Sequence, residues 1–307
     1  MRILGTMIAY GFPKLSLHEE LALAKRLGAE TLEILPDWPS LPSPKALART
    51  TADQGFSIWS AHGCWGGVTI RAARVDLSHP SAATRRASVD DLKRCIDWLE
   101  EAGGSYLVVH PGGLSLPEEW AVRREGLAAG LIELAGHAAT GRVTICVENM
   151  PPGVHPGSRM DELTTLLVEI GHPRLALALD TGHAHISADL PSETLAAGSL
   201  LVTTHVHDNN GRSDTHDPPG CGSIDWMHWK RALDAIGYRG VLMLECIRQI
   251  RDDPSSYRAE VLEPLLRMEG IGRVAEAQAV ETTVRIDCDQ PPDLRPPAAK
   301  EGGLDGR

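Results

Sequence analysis

The sequence predicts an α/β protein that folds as a single (β/α)8 TIM barrel with a disordered C-terminal tail. Strand-like apolar runs alternate with helical patterns and form eight pairs, the number that closes such a barrel. The 307 residues suffice, since these barrels occupy about 250 residues as one unit. In the second half, nearly every strand-like run ends at a carboxylate or a histidine. Parallel barrels carry their active sites at the carboxyl ends of the strands, so these endings favour the same fold.

The first half of the chain shows four strand and helix pairs with recognisable helix boundaries. Ser16, with Glu19 three residues later, is typical of a capping box, and Pro117 is typical of a first helical position. Gly103 stands directly after a helical stretch, where a C-terminal cap is expected. The expected strands are Ile3–Ala9, Thr31–Leu35, Ser57–Ala61 and Tyr106–Val109, and the helices lie near Ser16–Leu27, Pro44–Gln54, within Ser81–Ala102 and from Pro117 to about Ala139.

The second half shows four more pairs, and each strand ends at a side chain that can bind a metal. Because the carboxyl ends of parallel strands meet at one rim, these end residues should lie close together. The expected strands and end residues are Val143–Val147 with Glu148, Leu175–Leu179 with Asp180, Leu201–Thr204 with His205 and Val241–Leu244 with Glu245, and the helices lie near Asp161–Ile170, Ser192–Ala197, Trp226–Ile236 and Pro254–Met268.

The chain beyond about residue 270 differs from the barrel in composition. Its periodicity weakens, and Gln290–Arg307 is rich in proline, glycine and charged residues. Such a segment buries too little apolar surface to order itself. We therefore expect a barrel domain over residues 1–270 and a mostly disordered extension over residues 271–307.

Composition and charge narrow the function classes. With 42% hydrophobic and 23% charged residues, the chain has the composition of a soluble globular protein. A formal charge of −11 disfavours sequence-independent binding of nucleic acid, although bound divalent metals would supply positive charge that this count omits. Phosphate-binding glycine motifs and a serine nucleophile elbow are absent from the sequence, which argues against nucleotide cofactors and serine hydrolases.

The expected location is the cytoplasm. Six cysteines are scattered without a CxxC pair, as in proteins that keep reduced thiols. The N-terminal apolar stretch is short and is interrupted by Gly5, Thr6 and Gly11, so we expect neither a signal peptide nor a membrane segment. The sequence does not determine the oligomeric state, and it is compatible with a homo-oligomer.

The segment LALALDTGHAH, residues 175–185, is the strongest local indication of a metal site. An apolar strand delivers Asp180 to its carboxyl end, Gly182 allows a tight turn, and His183 follows. Carboxylate and imidazole ligands together suit Zn²⁺, Mn²⁺, Co²⁺ or Fe²⁺ better than Ca²⁺ or Mg²⁺. The alternative is an aspartate that caps the following helix, with His183 on the surface.

A second candidate is HVHDNNGRSDTHDPPGCGSIDW, residues 205–226. His205 and His207 alternate along a strand, so both side chains should face one way. Asp214 and His216 follow in a loop rich in glycine and proline, at a spacing that lets both turn back over the barrel mouth. A solvated turn is the alternative, but the density of ligand-type residues argues against it.

Two glutamates end apolar strands, Glu148 in ICVENMPPG and Glu245 in LMLEC. A buried carboxylate requires a metal, a cation or hydrogen bonds, and neither Lys nor Arg stands at a neighbouring strand end. A core ion pair is the alternative. His62 and His110, after the third and fourth strands, would complete a ring of ligands, and Trp65 would line the mouth.

These motifs, with HPGG and VEN, resemble the xylose isomerase-like TIM-barrel superfamily over roughly Met1 to Met268. That superfamily holds the sugar phosphate isomerase/epimerase proteins and the AP endonuclease family 2 (endonuclease IV) enzymes. Resemblance to the epimerase branch implies one divalent metal (Mn, Co, Fe or Zn) and two glutamates that move a proton at the carbon beside a carbonyl. The implied metal ligands are Glu148, Asp180, His205 and Glu245, the implied catalytic pair is Glu148 and Glu245, and the implied substrate contacts are His183 and Arg212.

Resemblance to the endonuclease branch implies up to three zinc ions. The chain departs from that branch, which has cysteine in place of Gly182 and Asn–Asp–Ser/Ala–Lys in place of residues 207–210. The missing lysine and the acidic charge argue against DNA binding. The additional metal ligands that the endonuclease resemblance implies are His62, His110, His183, Asp214 and His216.

Three functional hypotheses follow. The first is a metal-dependent isomerase or epimerase that acts on a sugar, a cyclitol or a related small hydroxy-carbonyl compound. The second is a multi-zinc phosphodiesterase of the endonuclease IV type, acting on abasic DNA or a small phosphodiester. The third, a catalytically silent barrel that serves as a scaffold, ranks last because unpaired buried carboxylates would cost stability without return.

Overall fold

Eight parallel strands form a closed barrel in the computed structural model of the chain, which describes residues 2–9, 15–35, 42–63, 75–246 and 263–269. Each strand pairs with the next in chain order, and the eighth pairs with the first. The predicted fold class is thereby confirmed. Trp65 and the extension 271–307 lie outside the described residues, so those expectations stay predictions. The strands are β1 Ile3–Ala9, β2 Thr31–Leu35, β3 Ser57–His62, β4 Tyr106–Val109, β5 Thr144–Glu148, β6 Leu175–Asp180, β7 Leu201–Val206 and β8 Val241–Leu244.

Helices lie between the strands, and α1 begins after Ser16 as predicted, whereas Pro117 begins a 3₁₀ turn that precedes α4, and α7 begins at Leu190 rather than Ser192. In the capping box, the Ser16 backbone N–H donates to Glu19 Oε2 at 2.7 Å, and the Glu19 N–H donates back to Ser16 Oγ. None of the described helices has the length and apolar character that a membrane span requires. The helices are α1 Leu17–Arg26, α2 Pro44–Asp53, α3 Ala82–Ala102, α4 Trp120–His137, α5 Met160–Ile170, α6 Thr181–Ser187, α7 Leu190–Ala197, α8 Trp226–Ala235 and α9 Glu263–Met268.

The short helix α6 directly follows β6 and was not expected. Its seven residues carry no apolar periodicity, so the sequence lacks the usual helix signal. Asp180 caps it by accepting the His183 backbone N–H at 2.7 Å. The capping alternative is therefore half right, because Asp180 caps the helix while the His183 side chain is buried.

Strand alternation separates the core from the barrel interior. Outward side chains such as Leu32 and Ile34 belong to the main hydrophobic cluster between strands and helices. A smaller cluster of Val108, Cys146 and Ala178 lies apart from it. Cys146 and Ala178 stand two residues before the strand ends of β5 and β6, so this layer lies inside the barrel below the rim. The layer of side chains formed by Val108, Cys146 and Ala178 is thus apolar, and the polar groups stand above it at the rim.

Candidate metal centre

The four strand-end ligands predicted from the sequence lie together and are buried. Glu148, Asp180, His205 and Glu245 each offer a ligand atom, and these atoms lie within 4.8 Å of one another. The β6–β7 register pairs Asp180 with His205. His205 Nδ1 lies 2.8 Å from Glu148 Oε1 and 3.0 Å from Glu245 Oε2. We call these four residues the rim cluster.

Glu33, in the middle of β2, contacts His205 on the side of the ring that faces away from the other rim residues. The sequence analysis did not assign it to the site. It is fully buried, and its Oε1 accepts the Nε2–H of His205 at 2.8 Å. Its Oε2 accepts the Ser60 hydroxyl at 2.5 Å. A signal existed, because a glutamate between Leu32 and Ile34 must face the barrel interior.

His62 and His110 converge on the second oxygen of Glu148. Their Nε2 atoms lie 3.5 Å and 3.2 Å from Glu148 Oε2. His62 Nδ1 lies 2.9 Å from the carbonyl oxygen of Gly63, so this nitrogen carries the proton and Nε2 faces the carboxylate. The two histidines therefore extend the rim cluster on the side of Glu148.

Beside the rim cluster lies a second group of ligands, His183, His207, Asp214 and His216, whose ligand atoms also lie within 4.8 Å of one another. The Nε2 atoms of His183 and His216 both lie 3.2 Å from Asp214 Oδ2. Their Nδ1 atoms donate to the carbonyl oxygens of Asn149 at 2.8 Å and Glu245 at 2.9 Å. These bonds aim both Nε2 atoms at one point. We call this group the loop cluster.

His207 links the two clusters, although the sequence analysis did not assign it to the site. Its Nε2 lies 2.9 Å from Asp180 Oδ2 and 3.8 Å from Asp214 Oδ1. Its ring stacks on His216 with a centroid separation of 4.0 Å. A Cβ at residue 182 would lie 2.0 Å from His207 Cε1, so the ring position depends on Gly182.

A closed loop carries Asp214 and His216 back over the barrel mouth. Asp208 and Asp217 form an antiparallel bridge at its base, with N–H to oxygen distances of 2.7 Å and 3.0 Å. The buried carboxylate of Asp208 accepts the Gly220 N–H at 2.8 Å and so ties down the next turn. His216 has a φ of 51°, a conformation that costs free energy in a residue other than glycine.

Charge interactions perturb the pKa values of several residues of the site. Burial acts to raise the pKa of Glu148, but the charge of His205 and hydrogen bonds from the neighbouring histidines hold it well below its usual range. Burial acts to lower the pKa of His183, but Asp180 and Asp214 raise it well above. The pKa of His216 rises to about 10, because Asp214 outweighs the effect of burial. The charges of neighbouring carboxylates thus favour the protonated forms of His183 and His216.

The residues of the rim cluster fit a divalent cation. Glu148 Oε2 and Glu245 Oε2 are buried, and their described partners are imidazole nitrogens, 3.2 Å away in His110 and 3.0 Å away in His205. Such atoms cost free energy unless a cation or a ligand satisfies them. Three carboxylates and one imidazole form a set that suits Mn²⁺, Co²⁺, Fe²⁺ or Zn²⁺.

Arg212, a predicted substrate contact, lies outside both clusters. It is exposed, and its backbone N–H donates to Asn210 Oδ1 at 3.0 Å. Its side chain forms no ion pair with the part of the chain that the structure describes. Its role as a substrate contact stays a prediction.

Curated proteins resemble this chain in sequence. A fructoselysine 3-epimerase of Shigella flexneri is 27% identical over 184 residues, 58% of this chain and 66% of that enzyme. A probable endonuclease 4 of Mycoplasma mobile is 34% identical over 169 residues, 48% of this chain and 60% of that protein. The chain thus spans about two thirds or less of these two curated relatives.

Solved structures and a family model agree on the fold. The crystal structure of a D-tagatose 3-epimerase-like protein superposes with a TM-score of 0.71 at 22% identity, covering 86% of this chain and 98% of that one. The family model described as "Xylose isomerase-like TIM barrel" matches residues 21–265. This match extends over most of the chain and includes both ligand clusters, so the chain belongs to the xylose isomerase-like TIM-barrel family.

Proposed function

We propose that the protein is a metal-dependent isomerase or epimerase of a sugar, a cyclitol or a related hydroxy-carbonyl compound. One observation carries the proposal: Glu148 and Glu245, at the ends of β5 and β8, approach the same nitrogen of His205, at 2.8 Å and 3.0 Å. Two carboxylates at one buried point can take up and return a proton. The epimerase activities named for the similar proteins support this class.

The chemistry divides between the cation and the two glutamates. A divalent cation held by the rim cluster would polarise the substrate oxygens and stabilise the negative charge that develops on them. One glutamate takes the proton from the carbon beside the carbonyl. The other glutamate returns a proton to the same carbon, and return on the opposite face inverts its configuration. Each carboxylate acts as base in one direction of the reaction and as acid in the other.

The side chains that border the rim cluster are more exposed than His205, which favours substrate entry between them. The His205 side chain is fully buried, whereas the side chains of His110, His216 and Asp214 are 18%, 25% and 28% exposed. A substrate that enters between them meets imidazole and carboxylate groups that can bond its hydroxyls. We expect the buried His183 to contact a substrate oxygen.

Solvent deuterium exchange tests the proposed function even when the product is unidentified. We expect the metal-loaded protein to exchange the proton beside the carbonyl in at least one member of a panel containing D-fructose, D-tagatose, D-allulose and inososes. Proton NMR in D₂O would show loss of that signal and growth of an epimer. Chelator should stop the exchange, and Mn²⁺ or Co²⁺ should restore it. A metal-loaded protein that exchanges no member of the panel would contradict the proposal.

A multi-zinc phosphodiesterase is the second candidate, and the loop cluster is the observation that favours it. Three imidazoles and one carboxylate form a ligand set typical of zinc. His207 Nε2 lies 2.9 Å from Asp180 Oδ2, so the loop cluster adjoins the rim cluster. Adjacent metals are the arrangement that clamps the attacking and leaving oxygens in phosphodiester hydrolysis.

Metal content distinguishes the two candidates. For the epimerase we expect one divalent metal per chain after purification without chelator, and His216→Ala should leave that content unchanged. Two or three zinc ions per chain, with one lost in His216→Ala, would favour the phosphodiesterase. Elemental analysis gives the count, and cleavage of an abasic-site oligonucleotide or of bis(p-nitrophenyl) phosphate gives the activity.

A further inference from the structure

Glu33 is a buried acid with two specific partners. It lies in the middle of β2 and is fully buried. Its two oxygens are used separately, because Oε1 accepts the Nε2–H of His205 at 2.8 Å and Oε2 accepts the Ser60 hydroxyl at 2.5 Å. The Ser60 bond holds the carboxylate in a single orientation, with Oε1 toward the imidazole.

The group behind the ring of His205 differs in kind from the groups behind three other site histidines. His62, His183 and His216 each place Nδ1 against a backbone carbonyl oxygen, at 2.8 Å to 2.9 Å. His205 instead places Nε2 against the carboxylate of Glu33. A carboxylate behind an imidazole selects one tautomer, orients the ring and makes the opposite nitrogen a stronger electron donor than a neutral carbonyl does.

The opposite nitrogen of His205 is the one at the centre of the rim cluster. Nδ1 lies 2.8 Å from Glu148 Oε1 and 3.0 Å from Glu245 Oε2. If Nε2 keeps its proton in the hydrogen bond to Glu33, Nδ1 is the nitrogen that can bind a cation. The ring is fully buried between β2 and the rim cluster.

We propose that Glu33 is the positioning residue of the metal centre: it retains the Nε2 proton of His205, presents Nδ1 to the rim cluster and strengthens cation binding there. This inference rests on the proposed function, since it assumes that the rim cluster binds a divalent metal. Glu33 acts only through His205 and contacts no substrate. Removal of such a carboxylate partner costs about 10-fold to 100-fold in metal affinity.

Titration of chelator-treated protein with Co²⁺ tests the role of Glu33. We expect wild type to bind Co²⁺ at the rim cluster and Glu33→Gln to bind it about 10-fold to 100-fold more weakly, as measured by calorimetry. The visible Co²⁺ absorption bands should shift, because His205 becomes a weaker donor. Ser60→Ala should lower the affinity in the same direction but less, because Glu33 keeps its bond to His205.

Glu193→Gln is the matched control, because Glu193 is a buried carboxylate away from both clusters. It accepts the Met160 N–H at 2.5 Å and pairs with Arg159 at 3.0 Å. Glu193→Gln should lower the melting temperature and leave the Co²⁺ affinity and spectrum unchanged, which separates a positioning role from a purely structural one. Circular dichroism verifies the fold of each variant.

The outcomes separate this inference from the proposed function. Absence of Co²⁺ binding by wild type would overturn the metal centre itself and the proposed function with it. Equal affinities and spectra for wild type and Glu33→Gln would overturn only the role of Glu33. If Glu33→Gln does not fold, Glu33→Asp replaces it, and an unchanged affinity in this shortened acid would equally contradict the inference.

Discussion

Glu148→Gln and Glu245→Gln should each lower the turnover number of the proposed epimerisation by about 10²-fold to 10⁴-fold, the usual contribution of a general acid or base. A glutamine is nearly the same size as a glutamate but cannot accept the proton from carbon. Each substitution also weakens the rim cluster as a metal site, so the assay requires saturating metal. The rate of deuterium exchange on the active substrate in D₂O measures the loss.

The two glutamates should behave alike because both lie at the same point. Each has an oxygen within 3.0 Å of His205 Nδ1. Glu193→Gln serves again as the control and should keep the wild-type turnover number. Wild-type exchange rates in both variants, with metal bound, would exclude proton transfer by this pair.

His205→Ala should lower the free energy of unfolding by about 3–5 kcal/mol when measured in the presence of chelator, because it leaves buried charges without their partner. His205 lies between Glu33 on one side and Glu148 and Glu245 on the other, at 2.8 Å to 3.0 Å. Burial acts to lower the pKa of His205, but these carboxylates raise it well above its usual range. Denaturant unfolding at constant pH measures the difference.

The pH dependence of this effect has a defined sign. The folded-state pKa of Glu148 lies below that of the unfolded chain, so its pairing stabilises the protein above the unfolded pKa and is lost as the pH falls. The folded-state pKa of His205 is raised, so its contribution is lost as the pH rises through that pKa. The difference between His205→Ala and wild type should therefore shrink at acid pH, where Glu148 takes up a proton, and again at alkaline pH, where His205 loses one.

A surface histidine is the control for His205→Ala. His228 is exposed on α8, and His228→Ala should change the free energy of unfolding by no more than about 0.5 kcal/mol. If His205→Ala changed the free energy of unfolding by a similarly small amount, the charges of the three glutamates would be compensated without this ring.

Much of the fold and the rim cluster could be predicted because the signals are local. Alternating apolar runs and helix caps span only a few residues, and a ligand that directly follows an apolar strand must stand at the barrel rim. The predicted strands Ile3–Ala9, Thr31–Leu35, Tyr106–Val109 and Val241–Leu244 match the observed β1, β2, β4 and β8 residue for residue. The family that these motifs indicated is likewise confirmed.

Other features depend on contacts between distant parts of the chain. Glu33 meets His205 across 172 residues, and no local pattern indicates which side chain a buried glutamate will reach. His207 enters the site because Gly182 leaves room for its ring, which only the packing of α6 against β7 reveals.

By itself, the sequence determined the closed barrel and the strand-end carboxylates and histidines, because alternation and strand ends are properties of neighbouring residues. Only the tertiary structure decided which nitrogen of each imidazole faces the clusters. For His183, His216 and His205 that choice depends on the group behind the ring, a backbone carbonyl for the first two and a carboxylate for the third. These groups lie 34, 29 and 172 residues away along the chain, so only folding brings them into contact.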